Sequence, residues 1–156
     1  MLREITNQNP PTSVERIAEF EKRWGFQLPV AYRDFLLKNN GGNPIPDAFP
    51  IKGMPLNPFG DIQVFFGLGK PEDVDDLEWF FENLKIPLPL GFLPIAGTPF
   101  SDYICLDTSK PKCPVWYWDT KPAWGDGTNI VFYPIADSFD EFLAAIYDHP
   151  LDVPES

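Results

Sequence analysis

Three carboxylates, Asp102, Asp107 and Asp119, sit on two strand-like runs, Asp102 to Asp107 and Val115 to Asp119, that read as one hairpin. Strands of one hairpin can bring Asp102 onto a common face with Asp107 or Asp119, and general acid–base catalysis needs such a pair in environments that separate the two pKa values. The spacing signals no such environment. Each acid also has an ordinary use: Asp102 in a turn, Asp107 opening the next turn, Asp119 ending a strand. Cys105 and Cys113 lie in the same hairpin and could face one another across it, although a cytosolic setting favours two reduced thiols, with Cys105 packed. Their spacing is not that of a zinc knuckle, and the only histidine is His149 near the carboxyl end. There is no nucleophile elbow and no Gly-rich phosphate loop. The reading is a non-catalytic chain with no metal and no cofactor.

Aromatic residues offer a different chemistry. Trp116, Tyr117 and Trp118 occupy consecutive positions, so Trp116 and Trp118 share one face of a strand and Tyr117 takes the other. At least one face must pack on helices, which makes core packing the ordinary use and a sugar-stacking platform the alternative. Trp124, in the polar stretch KPAWGDGTN, is either a binding anchor or a loop anchor.

Charge separates the partner classes. Twelve basic and 23 acidic residues leave a net charge of −11 and a pI near 4.3. Such a chain repels phosphates and anionic membrane surfaces, so nucleic acid and membrane are excluded as partners. The acids are clustered: Glu72, Asp73, Asp75, Asp76 and Glu78 form one group, and no Lys or Arg follows Lys121 while Asp126, Asp137, Asp140, Glu141, Asp148, Asp152 and Glu155 do. A solvated, self-repelling surface is one use of this charge, and a docking face for a basic protein is the other. The candidate partner-binding residues are Glu72, Asp73, Asp75, Asp76 and Glu78, then Asp119, Trp124 and Asp126, and finally Asp140 and Glu141, with the first cluster slightly favoured.

The elements that must position these residues have their own signals. Thr12 with Glu15 fits a capping box before Val14, Ile17, Ala18, Glu21 and Trp24, and Gly25 stops that helix, giving a helix near 13–24. Pro29 suits a first helical position, Ala31, Tyr32, Phe35 and Leu36 recur at helical spacing, and Gly41 or Gly42 is expected to close that helix, 29–39, at positive φ. A Pro- and Gly-rich passage, 41–60, holds a short edge strand. Strands are expected at 62–68, 91–96, 102–107, 115–119 and 130–133, with an acidic-started helix, DVDDLEWFFENL, between the first two. Ser138 with Glu141 caps a last helix whose apolar face is Phe139, Phe142, Leu143 and Ile146. This order predicts an α+β fold: a predominantly antiparallel sheet of about five to six strands, with an amino-terminal helix pair and a carboxy-terminal helix on one face. The 156 residues suit a single domain with flexible ends at roughly 1–10 and 150–156. No apolar run approaches the ~20 residues of a membrane span and the start MLREITNQNPP has no signal-peptide core, so a cytoplasmic location is expected.

The helix pair EFEKRWGFQLPVAYRDFLLKNNGG resembles the amino-terminal signature of the SUKH superfamily, which includes bacterial immunity proteins of polymorphic and contact-dependent toxin systems and the fungal cell-wall assembly regulators. The matching residues are Phe20, Glu21, Gly25, Leu28, Pro29, Tyr32, Phe35, Leu36, Asn40, Gly41 and Gly42. The resemblance continues through FFGL (65–68), GFLPIA (91–96), SDYICLD with Asp102 and Asp107, VWYWD with Trp118, and SFDEFLAAI from Ser138. One position departs: the family pattern has Gly or Asn before the acid, and this chain has Ser101. The resemblance implies a protein-binding domain that blocks a cognate toxin, often a nuclease or deaminase, with a regulatory interaction module as the alternative and a carbohydrate-binding or hydrolytic protein as a third. A toxin acting on nucleic acid must itself be basic, so an acidic blocker is its physical counterpart.

Overall fold

The computed structural model describes residues 1–53, 58–69, 73–84, 88–120 and 131–148. Its central element is a five-stranded antiparallel sheet in the order β5 (Val64–Phe65), β6 (Phe92–Gly97), β7 (Tyr103–Asp107), β8 (Val115–Asp119) and β9 (Val131–Ala136). Register fixes what each face carries. Phe65, Ala96, Ile104, Tyr117 and Tyr133 lie opposite one another in a row, while Gly97, Tyr103, Trp118 and Phe132 form a row on the other face.

The first face receives α2 (Val30–Lys38) and α4 (Phe139–Ala145) through a chain of rings. Phe35 packs edge-on to Phe65 and Phe139 at 4.9 and 5.2 Å, and Phe142 packs against Phe65 and Phe49 at 6.4 and 5.8 Å. These residues are buried in one hydrophobic cluster with Ile17 and Phe20 of α1 (Val14–Trp24). Removing one such ring costs about 3–5 kcal/mol. The other helix, α3 (Leu77–Asn83), lies against the second face, where Phe80 meets Phe66 and Tyr103 at 4.9 and 4.7 Å. The fold is α+β, as expected.

Several boundaries differ from the sequence reading for identifiable reasons. Helix α1 is capped by Ser13, whose hydroxyl accepts from Arg16 N, so the cap lies one residue beyond Thr12. Helix α3 begins only at Leu77 because Asp73 to Asp76 form a turn, with Asp76 N bonded to Asp73 O. The strand expected at 62–68 shrinks to β5, since Gly67 and Leu68 are bonded to Asp75, Leu77 and Asn40 instead of to a ladder. The strand expected at 130–133 is Val131–Ala136 among the described residues, running three residues further.

Among the described residues the passage after α2 holds three short strands, β2 (Asn43–Ile45), β3 (Ala48–Pro50) and β4 (Phe59–Asp61). β3 pairs with β4. β2 pairs with β1 (Glu4–Thr6), so residues 4–6 are tied into a ladder where a loose end was expected. The other expected loose end, 150–156, lies outside the described residues.

Helix α2 ends on Asn39 in an extended conformation, so neither Gly41 nor Gly42 closes it. Both have positive φ, 77° and 120°, for a different purpose. A Cβ on Gly41 would lie 2.9 Å from Gly67 N, and one on Gly42 would lie 2.4 Å from Thr6 O, so the two glycines let this segment thread between β1 and the Gly67 turn.

Candidate functional site

Most residues that carry the family resemblance are struts. The Glu21 carboxylate accepts from Leu28 N and Arg33, both at 2.8 Å, which joins α1 to the start of α2. Gly25 ends α1 in the left-handed conformation, φ 74°. Pro29 is the cap residue of α2, one position before the helical residue it was expected to be, and Tyr32 and Phe35 are core rings. Asn40 is buried and bonded on both sides: its Nδ2 donates to Pro10 O and Leu68 O at 2.7 Å, and its Oδ1 accepts from Leu68 N at 2.8 Å.

The carboxylates of the hairpin are also struts. Asp102 is buried; one oxygen accepts from the Tyr117 hydroxyl at 2.6 Å and the other from Thr120 N and Oγ1 at 3.0 and 2.9 Å. Burial first, then the bond to Asp102 and the charges of Asp102 and Asp119, hold the Tyr117 phenol far above its usual pKa, so it stays a donor. Asp107 accepts from Ser109 N and Oγ and closes the next turn. Asp102 and Asp107 lie at opposite ends of β7, about 16 Å apart by strand rise, so they do not form a pair. Asp119, buried at the end of β8, lies at the Asp102 end. Ser101, just before Asp102, has φ 62°, so the position where the family pattern has Gly or Asn requires a left-handed residue and this chain fills it with Ser.

Both cysteines are free thiols. In register Cys105 faces Trp116, while Cys113 bonds to Lys110 O in the connecting turn, so the two do not meet across the hairpin. Burial raises the pKa of both, helped at Cys113 by the charge of Asp107, so neither is activated. Trp118 is buried beside Tyr103 and Phe132, Tyr117 lies in the core against Phe49, and Trp116 is half-buried beside Phe92. Among the described residues no group of three His, Cys, Asp or Glu is placed to hold a metal ion. No helix among them is long and apolar enough to cross a membrane.

The acids that open α3 are largely engaged inside the molecule. Asp76 is 3% exposed and caps the helix by accepting from Glu78 N and Trp79 N. Glu78 accepts from Arg16 at 2.7 Å and from the Trp24 indole at 2.9 Å, with Arg23 at 3.6 Å, and so ties α3 to α1. Burial is the largest single influence on Glu78 and opposes its charge. The bonds from Trp24 and Arg16 and the charges of Arg16 and Arg23 together outweigh it, so its pKa lies below the ordinary value. Asp73 accepts from Asp75 N in the turn, and Asp75 is exposed. Glu72, Trp124 and Asp126 lie outside the described residues.

A second acidic region is built differently. Between α2 and α4 runs a groove of about 340 Å³ lined by Met1, Leu2, Ala31, Asp34, Phe35, Lys38, Asn39, Asp140, Leu143 and Ala144. Asp140 and its neighbour Glu141 are exposed in the first turn of α4, which carries no basic residue in its last turn. Asp34, exposed on α2, joins Asp140 at this groove and was not singled out from sequence. The signal was weak: it stands at i+4 from Val30 and i−3 from Leu37, both exposed, on the solvent side of the helix. Among the described residues no salt bridge engages Asp34, Asp140 or Glu141. A larger cleft of about 510 Å³ lies between Trp24, Phe26, Phe81 and Phe92, with no carboxylate in its lining.

Comparison with known proteins gives this frame a family. The model of the SMI1 / KNR4 family (SUKH-1) matches residues 11–145. The chain belongs to that family. It is also similar to the SPbeta prophage-derived uncharacterized protein YokK of Bacillus subtilis (strain 168), 28% identical over 153 residues, covering 88% of this chain and 76% of the relative. No solved structure matches. The family match spans the Glu21, Asn40 and Asp102 struts of this SUKH-1 domain and the exposed acids Asp34, Asp140 and Glu141 alike.

Proposed function

We propose that this chain is a non-catalytic, protein-binding immunity protein that neutralises a cognate basic toxin domain by stoichiometric occlusion. Membership of the SUKH-1 family supports the class, and the observation that carries the choice of partner is an acidic surface whose exposed acids Asp34, Asp140 and Glu141 make no salt bridge among the described residues. A basic nuclease or deaminase domain is drawn to such a surface, while acidic partners are rejected. The prophage origin printed in the relative's name fits a gene carried for competition. On this reading the protein works in the cytoplasm, where such a toxin meets its substrate, and takes no cofactor.

The test is neutralisation. Where a large toxin gene adjoins this one, its carboxy-terminal domain is expressed in a bacterial host with and without this protein, and the pair is passed over a sizing column. Restored growth together with a stable stoichiometric complex supports the reading; continued killing with no complex overturns it. The alternative, a regulatory module of the cell-wall assembly regulator type, is supported by the same family match. It gives capture of a biosynthetic or signalling protein and no protection.

A further inference from the structure

We propose that the α2–α4 groove is the seat of a basic amphipathic helix supplied by the partner. This rests on the protein-binding reading above and adds the site and the chemistry of what fills it. The floor is apolar, made by Ala31, Phe35, Leu143 and Ala144, and the two alanines leave room for incoming aliphatic side chains. The lining also carries Asp34 and Asp140 with Lys38 and the amino-terminal ammonium of Met1; that ammonium donates to Ile146 O, and neither acid is in an ion pair among the described residues. Val30, 67% exposed on the same helix, extends the apolar surface toward solvent.

The walls decide the occupant's backbone. Only Met1, Leu2 and Asn39 of the lining lie outside α2 and α4; along the two helical walls the N–H and C=O groups are bonded internally, so an extended segment laid there would give up hydrogen bonds to water and receive none. A helix arrives with its backbone already satisfied and needs only side chains, aliphatic toward Ala31 and Ala144 and basic toward Asp34 and Asp140. The nine residues of α2 give a wall about 13 Å long, enough for two to three turns of such a helix. The Trp24–Phe92 cleft is larger but has no charge to choose a partner, and the α3 acids have charge but are capped and paired.

The experiment titrates isotope-labelled protein with a synthetic helix of about 14 residues in which Leu forms one face and Lys the other, and with the same peptide carrying Glu for Lys. The Lys peptide is expected to shift the amides of Ala31, Asp34, Asp140, Leu143 and Ala144, and the Glu peptide to shift none. The double variant D34K/D140K should weaken binding at least about tenfold, and Ala144→Arg, which fills the floor, should do the same by a different route. Circular dichroism checks that both variants fold. Shifts centred on Asp73 or on the Trp24–Phe92 cleft, or equal binding by D34K/D140K, would overturn the groove. The same variants in the neutralisation assay separate the two claims: protection that survives D34K/D140K removes the groove and leaves the immunity reading, whereas groove binding of the peptide without any protected toxin leaves the groove and removes immunity.

Discussion

The acids at the start of α3 and those bordering the α2–α4 groove belong to the same excess of negative charge, yet the fold uses them in opposite ways. Asp76 and Glu78 are drawn inward, one onto the helix N-terminus and one onto Arg16, Arg23 and Trp24. Asp34 and Asp140 stay outside, at the edge of an apolar floor. The comparison teaches that a run of acids in sequence says little about a docking face, because acids near a helix start meet backbone donors and neighbouring bases first. A charge left unmatched beside apolar surface is the better indicator, and it appears only when two helices from opposite ends of the chain are brought together.

The sharpest way to break this contrast is to remove Glu78. Glu78→Ala leaves Arg16 and the Trp24 indole without their acceptor, and chemical denaturation should show a loss of about 2–3 kcal/mol. A loss within error would mean that the α3 acids are as dispensable as those at the groove. Asp76→Ala should cost about 1–2 kcal/mol as a lost helix cap. Reversing Asp73, Asp75 and Asp76 together is therefore no clean probe of docking; Asp73→Lys with Asp75→Lys keeps the cap.

Glu78 also gives the contrast a pH signature. Its folded pKa is below the unfolded value of about 4.3, so its contribution is complete above that value and fades as pH falls through the lower folded value. In Glu78→Gln this part of the acid dependence should vanish, with stability lower near neutrality. Equal acid slopes in the variant and the wild type would sink the assignment.

Ser101→Gly tests the family's backbone demand at a third place. Relief of a left-handed serine should raise stability by up to about 1 kcal/mol, partly offset by the unfolded-state entropy of glycine, and a clear loss on denaturation would contradict the strained turn. The smallest effect belongs to the groove: D34K/D140K should leave the melting temperature within about 2 °C while changing what binds. A large drop would show that these acids too are structural.

Much of the frame was legible because its determinants are local. Ser138 before a period of Phe139, Phe142 and Leu143, or Gly25 after Trp24, states where a helix begins or ends whatever surrounds it. Alternation in VWYWD likewise set Tyr117 against Trp116 and Trp118, and the sheet buries Tyr117 against Phe49. One short strand was expected in residues 41–60, but its place and its companions were not legible, since three-residue ladders owe their existence to partners such as Glu4–Thr6 that lie far away in sequence.

From the sequence alone came the Gly25 and Ser138 caps, the α+β order, the net charge of −11 and the SUKH resemblance, because each depends on neighbours along the chain or on a simple sum. Tertiary structure alone decided which charges are spent. Glu78 is paired because α1 passes within 3 Å of it. Asp34 and Asp140 line one groove because residues a hundred positions apart pack side by side over the same sheet face, an arrangement set by burial of Phe35 and Phe139.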